Sequence, residues 1–318
     1  MPGYMTHYIF GELEYHNIEN ANLKCIVKNN KNVYHLGLQG PDLFFYYPGA
    51  FLISKKNLGS LMHNELTGMY IKKMLSFVIN IKDREKKEIA TAYLVGFLGH
   101  YCMDIECHPY IYYKTDVMHK NKLYKGKHIA LETDIDYLLA QKYLKKKSSD
   151  YHYGKLISIT NGQCEVVAKM LTYACKGTYK GINLDEKRTK QVIKNMSYII
   201  NLINDKSGRI KGILRYISNI ADSITNIEPL FISDQYQLVY HDPLNLENSC
   251  WYNPWENDEI SNTFNGRIRN DNFINLMNQA SFMYHDLITK MIESINQKDG
   301  DNFIGCIGNR SLISGLEI

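Results

Sequence analysis

The sequence predicts an all-α protein. Three observations carry that expectation: apolar residues recur at helical spacing, strand-like alternation is scarce, and Tyr110–Glu228 contains no proline. The spacing predicts helices over about 4–28, 59–80, 84–107, 125–147, 153–175, 185–204, 208–224 and 270–297. The first holds THYIFGE among aromatics, and the second holds GSLMHNEL on an amphipathic pattern. The third runs through GFLGHYCMDIEC, and Pro109 is expected to end it soon after His108. In the fourth, KGKHIALETDIDYLL sets Leu131, Ile135, Leu138 and Leu139 as an apolar stripe, so that helix should dock. The later helices are read from periodicity alone. Gln39–Phe51, with two prolines, reads as a loop, as does Glu228–Asn257, with three prolines and the string CWYNPW. Polar tracts at Lys145–Asp150 and Asn204–Lys211 read as solvated ends or connections.

The chain has 318 residues, 45% hydrophobic and 12% aromatic, enough to bury a substantial core. Disorder, collagen-like repeats and a small disulfide-stapled scaffold are thereby excluded. A net charge of +4 does not point to a nucleic-acid binder, and no stable nucleic-acid binding is expected. No protein partner follows from the sequence. Seven cysteines without a C-x-x-C pair read as reduced thiols. The start of the chain lacks a basic and then apolar leader. The longest apolar stretch, around Tyr93–Gly99, is far shorter than the roughly 20 residues of a membrane span. A cytoplasmic protein is the expectation. Nine of the eleven histidines fall at or before His152, so a metal-binding helical region is expected over 1–150, with a helical extension over 151–318 packed on it.

The strongest chemical signal is GFLGHYCMDIECHPYI, which places His100, Asp104 and His108 at steps of four. Each step drifts only about 40° around a helix, so the three side chains share one face. Two imidazoles and a carboxylate suit a borderline cation such as Zn²⁺; the plain alternative is a polar face with surface histidines. His128 and Glu132 form a second i, i+4 pair, which on an exposed helix would be only a mild attraction. Asp134 and Asp136 read as supporting or helix-start charges rather than ligands. His7, Asp42 and His63 are weaker candidates singly: a core histidine, a turn aspartate after Gly40–Pro41, and a helix histidine that packs or caps.

Taken in order, these segments resemble the zinc-dependent phospholipase C family, which shares its all-helical fold with the fungal single-strand zinc nucleases. That family orders its ligands as an early His, a loop Asp, a His, a helix with His, Asp and His, and a helix with His-x-x-x-Glu. This chain offers His7, Asp42, His63, His100, Asp104, His108, His128 and Glu132 in the same order. THYIFGE, LGLQGPDLFFYYP and GFLGHYCMDIECHPYI are similar to a signal-less bacterial branch, and the resemblance covers about residues 1–145.

The resemblance implies an all-α bundle with two or three zinc ions. One ion would take Asp42, His63 and His100, with Asp104 bridging to a second. The second would take His7 and the main chain of the first residue. The third would take His108, His128 and Glu132. Secreted relatives expose an N-terminal tryptophan, whereas this chain starts Met-Pro, so Pro2 is the candidate there and two ions remain an alternative to three. Asp104 and His108 are four residues apart, where the secreted enzymes use six. Asp42 is implied as general base, with a pure ligand role as the alternative. Phe44, Phe45, Tyr46 and Tyr47 follow it, either as an apolar lip for substrate or as core plugs.

The implied activity is hydrolysis of a phospholipid or related phosphodiester, with transient contact at a membrane surface. No G-x-S-x-G elbow and no phosphate-cradling G-x-x-x-x-G-K-[ST] loop offers a different apparatus. Two other readings stand beside it: a single-strand nuclease or nucleotidase on the same metals, and a non-catalytic regulatory protein whose zinc is closed by protein ligands.

Overall fold

The computed structural model describes residues 3–47, 49, 53–54, 57–115, 117, 124–145, 150–218, 231, 236–244, 250–258, 263–264 and 266–318. The fold is all-α, and the strand pair among the described residues is only two residues long, Asn257–Asp258 against Thr263–Phe264.

The expected helix over 4–28 is two helices, α1 (Tyr4–Asn17) and α2 (Ala21–Asn29), followed by the unforeseen α3 (Lys31–Gly37). Ile18 turns extended, and Asn20 restarts the helix by accepting from Leu23 N at 2.9 Å. Within the expected loop 39–51, a 3₁₀ turn spans Gly40–Tyr46, and positions 48 and 50–51 lie outside the described residues. The expected helix over 59–80 divides into α4 (Leu58–Asn64) and α5 (Thr67–Asn80), because Leu66 takes a left-handed conformation at φ 56°.

The stop expected at Pro109 does not occur. Helix α6 runs from Arg84 to Lys114 with Pro109 inside it and buried. A proline at 109 removes the N–H that would bond the Ile105 carbonyl. Gly315 packs at that carbonyl, so closely that a Cβ there would lie 2.6 Å from the oxygen. The break was expected from local chemistry; the helix instead runs on past Pro109, buried, with Gly315 packed close to the carbonyl that the proline leaves without its helical partner.

Helix α7 covers Tyr124–Leu139 and ends in a π turn over Ala140–Leu144. The expected helix over 153–175 is a short α8 (Tyr153–Leu156) and α9 (Asn161–Thr178), the latter started by a capping box between Thr160 and Gln163. Then come α10 (Glu186–Ile203), α11 (Arg209–Ser218), α12 (Phe273–Gln297) and the unforeseen α13 (Asp301–Ile307). Positions 219–224 of one expected helix, and 228–230, 232–235 and 245–249 of the second expected loop, lie outside the described residues.

Helix α6 is the axis of the molecule: α1, α3, α5, α9 and α12 all pack on it. It touches α3 backbone to backbone, since a Cβ on Gly96 would lie 2.1 Å from Tyr34 O. One continuous core joins Phe10 of α1, Leu94 and Leu98 of α6, Leu171 of α9 and Tyr284 of α12. Each such buried side chain contributes roughly 1.5–3 kcal/mol, which offsets the cost of taking the ionisable residues of α6 out of water. Among the described residues, no helix is long and apolar enough to cross a membrane.

Candidate metal centre

Five elements deliver the side chains singled out by their order. His7 lies on α1, Asp42 in the 3₁₀ turn, and His63 near the end of α4. His100, Asp104 and His108 lie on α6, and His128 and Glu132 on α7. Asp136 indexes α1 to α7: it accepts from Met5 N at 3.0 Å, Thr6 N at 2.7 Å and Thr6 Oγ1 at 2.6 Å, serving the open N–H groups of the first turn. Asp134 likewise faces protein donors, accepting from Tyr236 Oη at 2.6 Å and Tyr240 N at 2.7 Å.

All eight residues are buried, none more than 9% exposed, so the α6 face is not a surface of ordinary histidines. Asp104 stands at the centre. Its Oδ2 is 3.0 Å from His100 Nε2 and 3.4 Å from His63 Nε2, and its Oδ1 is 3.3 Å from His7 Nε2. Asp42 Oδ1 is 3.2 Å from His63 Nε2, and the His7 and His100 rings stack at 4.2 Å. Glu132 Oε1 lies 2.8 Å from His128 Nε2, and the His108 and His128 rings are 6.3 Å apart. The side chains fall into three groups, the first two sharing His100, and within each group the donor atoms lie within 4.8 Å of one another: His7, Asp42 and His100; His63, His100 and Asp104; His108, His128 and Glu132.

The donor atoms are prepared as ligands. His63 Nδ1 donates to Gly59 O at 2.7 Å, His100 Nδ1 to Leu38 O at 3.1 Å, and His108 Nδ1 to Leu312 O. A carbonyl only accepts, so each Nδ1 carries a proton and each Nε2 faces inward, where its lone pair serves a cation. Among the described residues, those three Nε2 atoms, Asp42 Oδ1 and both Asp104 oxygens have no hydrogen-bond partner, although each is fully enclosed. Buried polar atoms are otherwise nearly always paired. A convergent set of unpaired nitrogens and carboxylate oxygens fits zinc, which takes both donor types.

Gly40 makes room for one of these rings. Its φ is +50°, and a Cβ there would lie 2.3 Å from His100 Cδ2.

The electrostatics mark the centre as cation-seeking. Burial works against the charged Asp104, yet His100 and His108 hold its carboxyl well below the usual range. Burial likewise works against a charged His63, but Asp104 and Asp42 hold it up at about 9, so without a cation its Nε2 holds a proton that zinc would displace. Burial pushes His7 down, pushes His108 and His128 well down, and pushes Glu132 well up.

Of the aromatic run, Phe44 is buried in the core, Phe45 is 41% exposed with its ring 5.5 Å from His63, and Tyr46 borders a small cavity. That cavity, of about 70 Å³, is lined by Gln39, Asp42, Tyr46, Ile129, Glu132 and Ile200 among others. Larger clefts of about 530 and 760 Å³ lie along α2 and α12 and contain none of the eight residues. Sequence reasoning missed Gln39, whose buried Nε2 has no partner; its only signal was its place beside Gly40–Pro41–Asp42. It also missed Tyr112, which lies 4.6 Å from the His128 ring and edge-on to Trp255 at 4.9 Å, giving the CWYNPW string a place behind the site. Pro2, the candidate main-chain ligand, lies outside the described residues.

No curated protein and no solved structure matches the chain. A family model described as "Zinc dependent phospholipase C" matches residues 3–187, a span that holds all eight convergent side chains. With more than half of its 318 residues inside that match, the chain belongs to the zinc-dependent phospholipase C family.

Proposed function

We propose that this chain hydrolyses a phospholipid at the phosphodiester bond, releasing a phosphorylated head group, at a centre of two or three zinc ions. The observation that carries the reading is the inward set of unpaired donors: three Nε2 atoms with their Nδ1 protons tied to carbonyls, beside the open oxygens of Asp42 and Asp104. Asp42, His63 and His100 hold one ion, with Asp104 shared toward a second that His7 also holds. His108, His128 and Glu132 hold a third. Bound zinc supplies an acidified water and neutralises charge that builds on the phosphate oxygens. Asp42 acts as general base, its carboxylate being at the edge of the cavity where an attacking water is reached.

Phe45 and Tyr46 form an apolar lip at the entrance, and Phe44 anchors their turn from the core. The phospholipid is met in transient contact with a membrane surface, to which Phe45 offers an exposed ring. A cytoplasmic location accords with seven cysteines that form no disulfide.

The test has three parts. Elemental analysis of the purified protein should recover two or three zinc per chain. Zinc-loaded protein should cleave phosphatidylcholine vesicles, lose that activity to a chelator, and leave single-stranded DNA intact. Full activity after His100→Ala, or cleavage of the DNA in preference to the lipid, would overturn the reading.

A further inference from the structure

We propose that the C-terminal hairpin, residues 309–318, is a built-in positioning strap for two zinc ligands on different helices. Leu312 is its working residue, through main-chain atoms alone. The proposal rests on the zinc reading above and assigns a role to a segment outside the span that the family model matches.

Leu312 N donates to the carbonyl of His63 at 2.8 Å, and Ser311 Oγ donates to the same oxygen at 3.1 Å. That carbonyl lies next to the last residue of α4 and has no partner within its own helix, so two donors from the hairpin fix the end of α4 and hence the origin of the His63 side chain. The carbonyl of the same Leu312 accepts from His108 Nδ1. It thereby fixes the tautomer of a second ligand and aims its Nε2 inward. One residue holds His63, which neighbours Asp42 and Asp104, and also His108, which groups with His128 and Glu132.

The strap is itself pinned. Leu312 is fully buried, and Ser311 is 4% exposed. Ser311 Oγ accepts from Ile313 N and Ser314 N, and Gly315 N donates to Ser311 O at 2.9 Å, closing a turn around Leu312. Ser311 N donates to Leu316 O and Ile318 N donates to Asn309 O, which closes the hairpin. It is tied to the body by Gly68 N donating to Asn309 Oδ1 at 3.1 Å and by Asn253 Nδ2 donating to Ser314 O at 2.7 Å. Gly315, at φ +69°, seats the turn on the Ile105 carbonyl one helical turn before Pro109.

Two variants of the full chain test this. Ser311→Ala removes one donor to His63 O and the Oγ that accepts from Ile313 N and Ser314 N. Gly315→Ala forces a Cβ against Ile105 O and lifts the turn. Zinc affinity is read by competition with a chromophoric chelator well below the unfolding temperature, where a less stable but still folded protein keeps its affinity. Both variants should retain the wild-type helical circular dichroism and bind zinc about 10–100-fold more weakly, as loss of an outer support does at other sites. Wild-type zinc affinity in both, with only a lower melting temperature, overturns the strap and leaves a hairpin that merely stabilises the fold. If Gly315→Ala does not fold, Ser311→Ala decides alone. His108→Ala is the reference: zinc binding unchanged by it would sink the zinc reading itself, a result distinct from failure of the strap.

Discussion

His100 Nε2 lies 3.0 Å from Asp104 Oδ2, one helical turn along α6, and neither side chain has any exposed surface. The same carboxylate faces His7 at 3.3 Å and His63 at 3.4 Å. Replacing one Asp104 oxygen by an NH₂ group would turn a donor toward lone pairs and remove the charge that two ions would share. Asp104→Asn should therefore lose at least one zinc by elemental analysis. Its kcat/KM should fall about a thousandfold, which is several kcal/mol at 1.36 kcal/mol per factor of ten.

Asp42 has two proposed roles, and its position permits both: its Oδ1 is 3.2 Å from His63 Nε2, and its carboxylate borders the cavity. Asp42→Asn separates them. As a base, its loss should lower kcat by about 10²–10⁴ at every zinc concentration. As a ligand only, its loss should be repaired by excess zinc. Full recovery of kcat in a zinc titration would remove the general-base role.

Much of this candidate centre was legible because its donor groups are side chains at helical spacing. His100, Asp104 and His108 share a face by arithmetic, and α6 presents them as expected. What was not legible depends on main-chain atoms or distant partners. Every residue has an N–H and a C=O, so nothing in the letters marks Leu312, Gly59 or Leu38 as the carbonyls that aim the imidazoles. Pro109 did not end the helix, and what packs at the Ile105 carbonyl it frees, Gly315, lies over two hundred residues away, out of reach of a local reading. The break between α1 and α2 was written locally, in Asn20 as a cap, and was masked by apolar residues on both sides of it.

Gly40 tests how tightly the turn before Asp42 is fitted to the site. Alanine there meets two penalties, a left-handed φ of +50° and a Cβ 2.3 Å from the His100 ring. The first costs on the order of 1–2 kcal/mol, and the second obliges His100 to move. Gly40→Ala should lower both the melting temperature and the zinc affinity. A variant as tightly zinc-binding as wild type would mean that the His100 ring has room the structure does not show.

A charge pair away from the centre gives the pH dependence of the fold. Glu12 Oε1 accepts from His35 Nε2 at 2.7 Å, and Lys31 Nζ donates to Glu12 Oε2 at 2.8 Å, tying α1 to α3. His35 Nδ1 faces Leu156 O at 3.2 Å, so the buried ring has an acceptor oxygen at each nitrogen. Burial pushes the Glu12 carboxyl up, but His35 and Lys31 outweigh it and hold the group below its ordinary 4.5. A folded-state value below the unfolded one means that the carboxylate stabilises the fold at pH above 4.5, and that this contribution is lost as pH falls through the lower, folded value. Glu12→Gln should thus cost on the order of 1–2 kcal/mol in urea unfolding at neutral pH. The gap between variant and wild type should close as the medium is acidified past the folded-state value. A gap of the same size on both sides of that transition would show that Glu12 contributes through packing rather than through its charge.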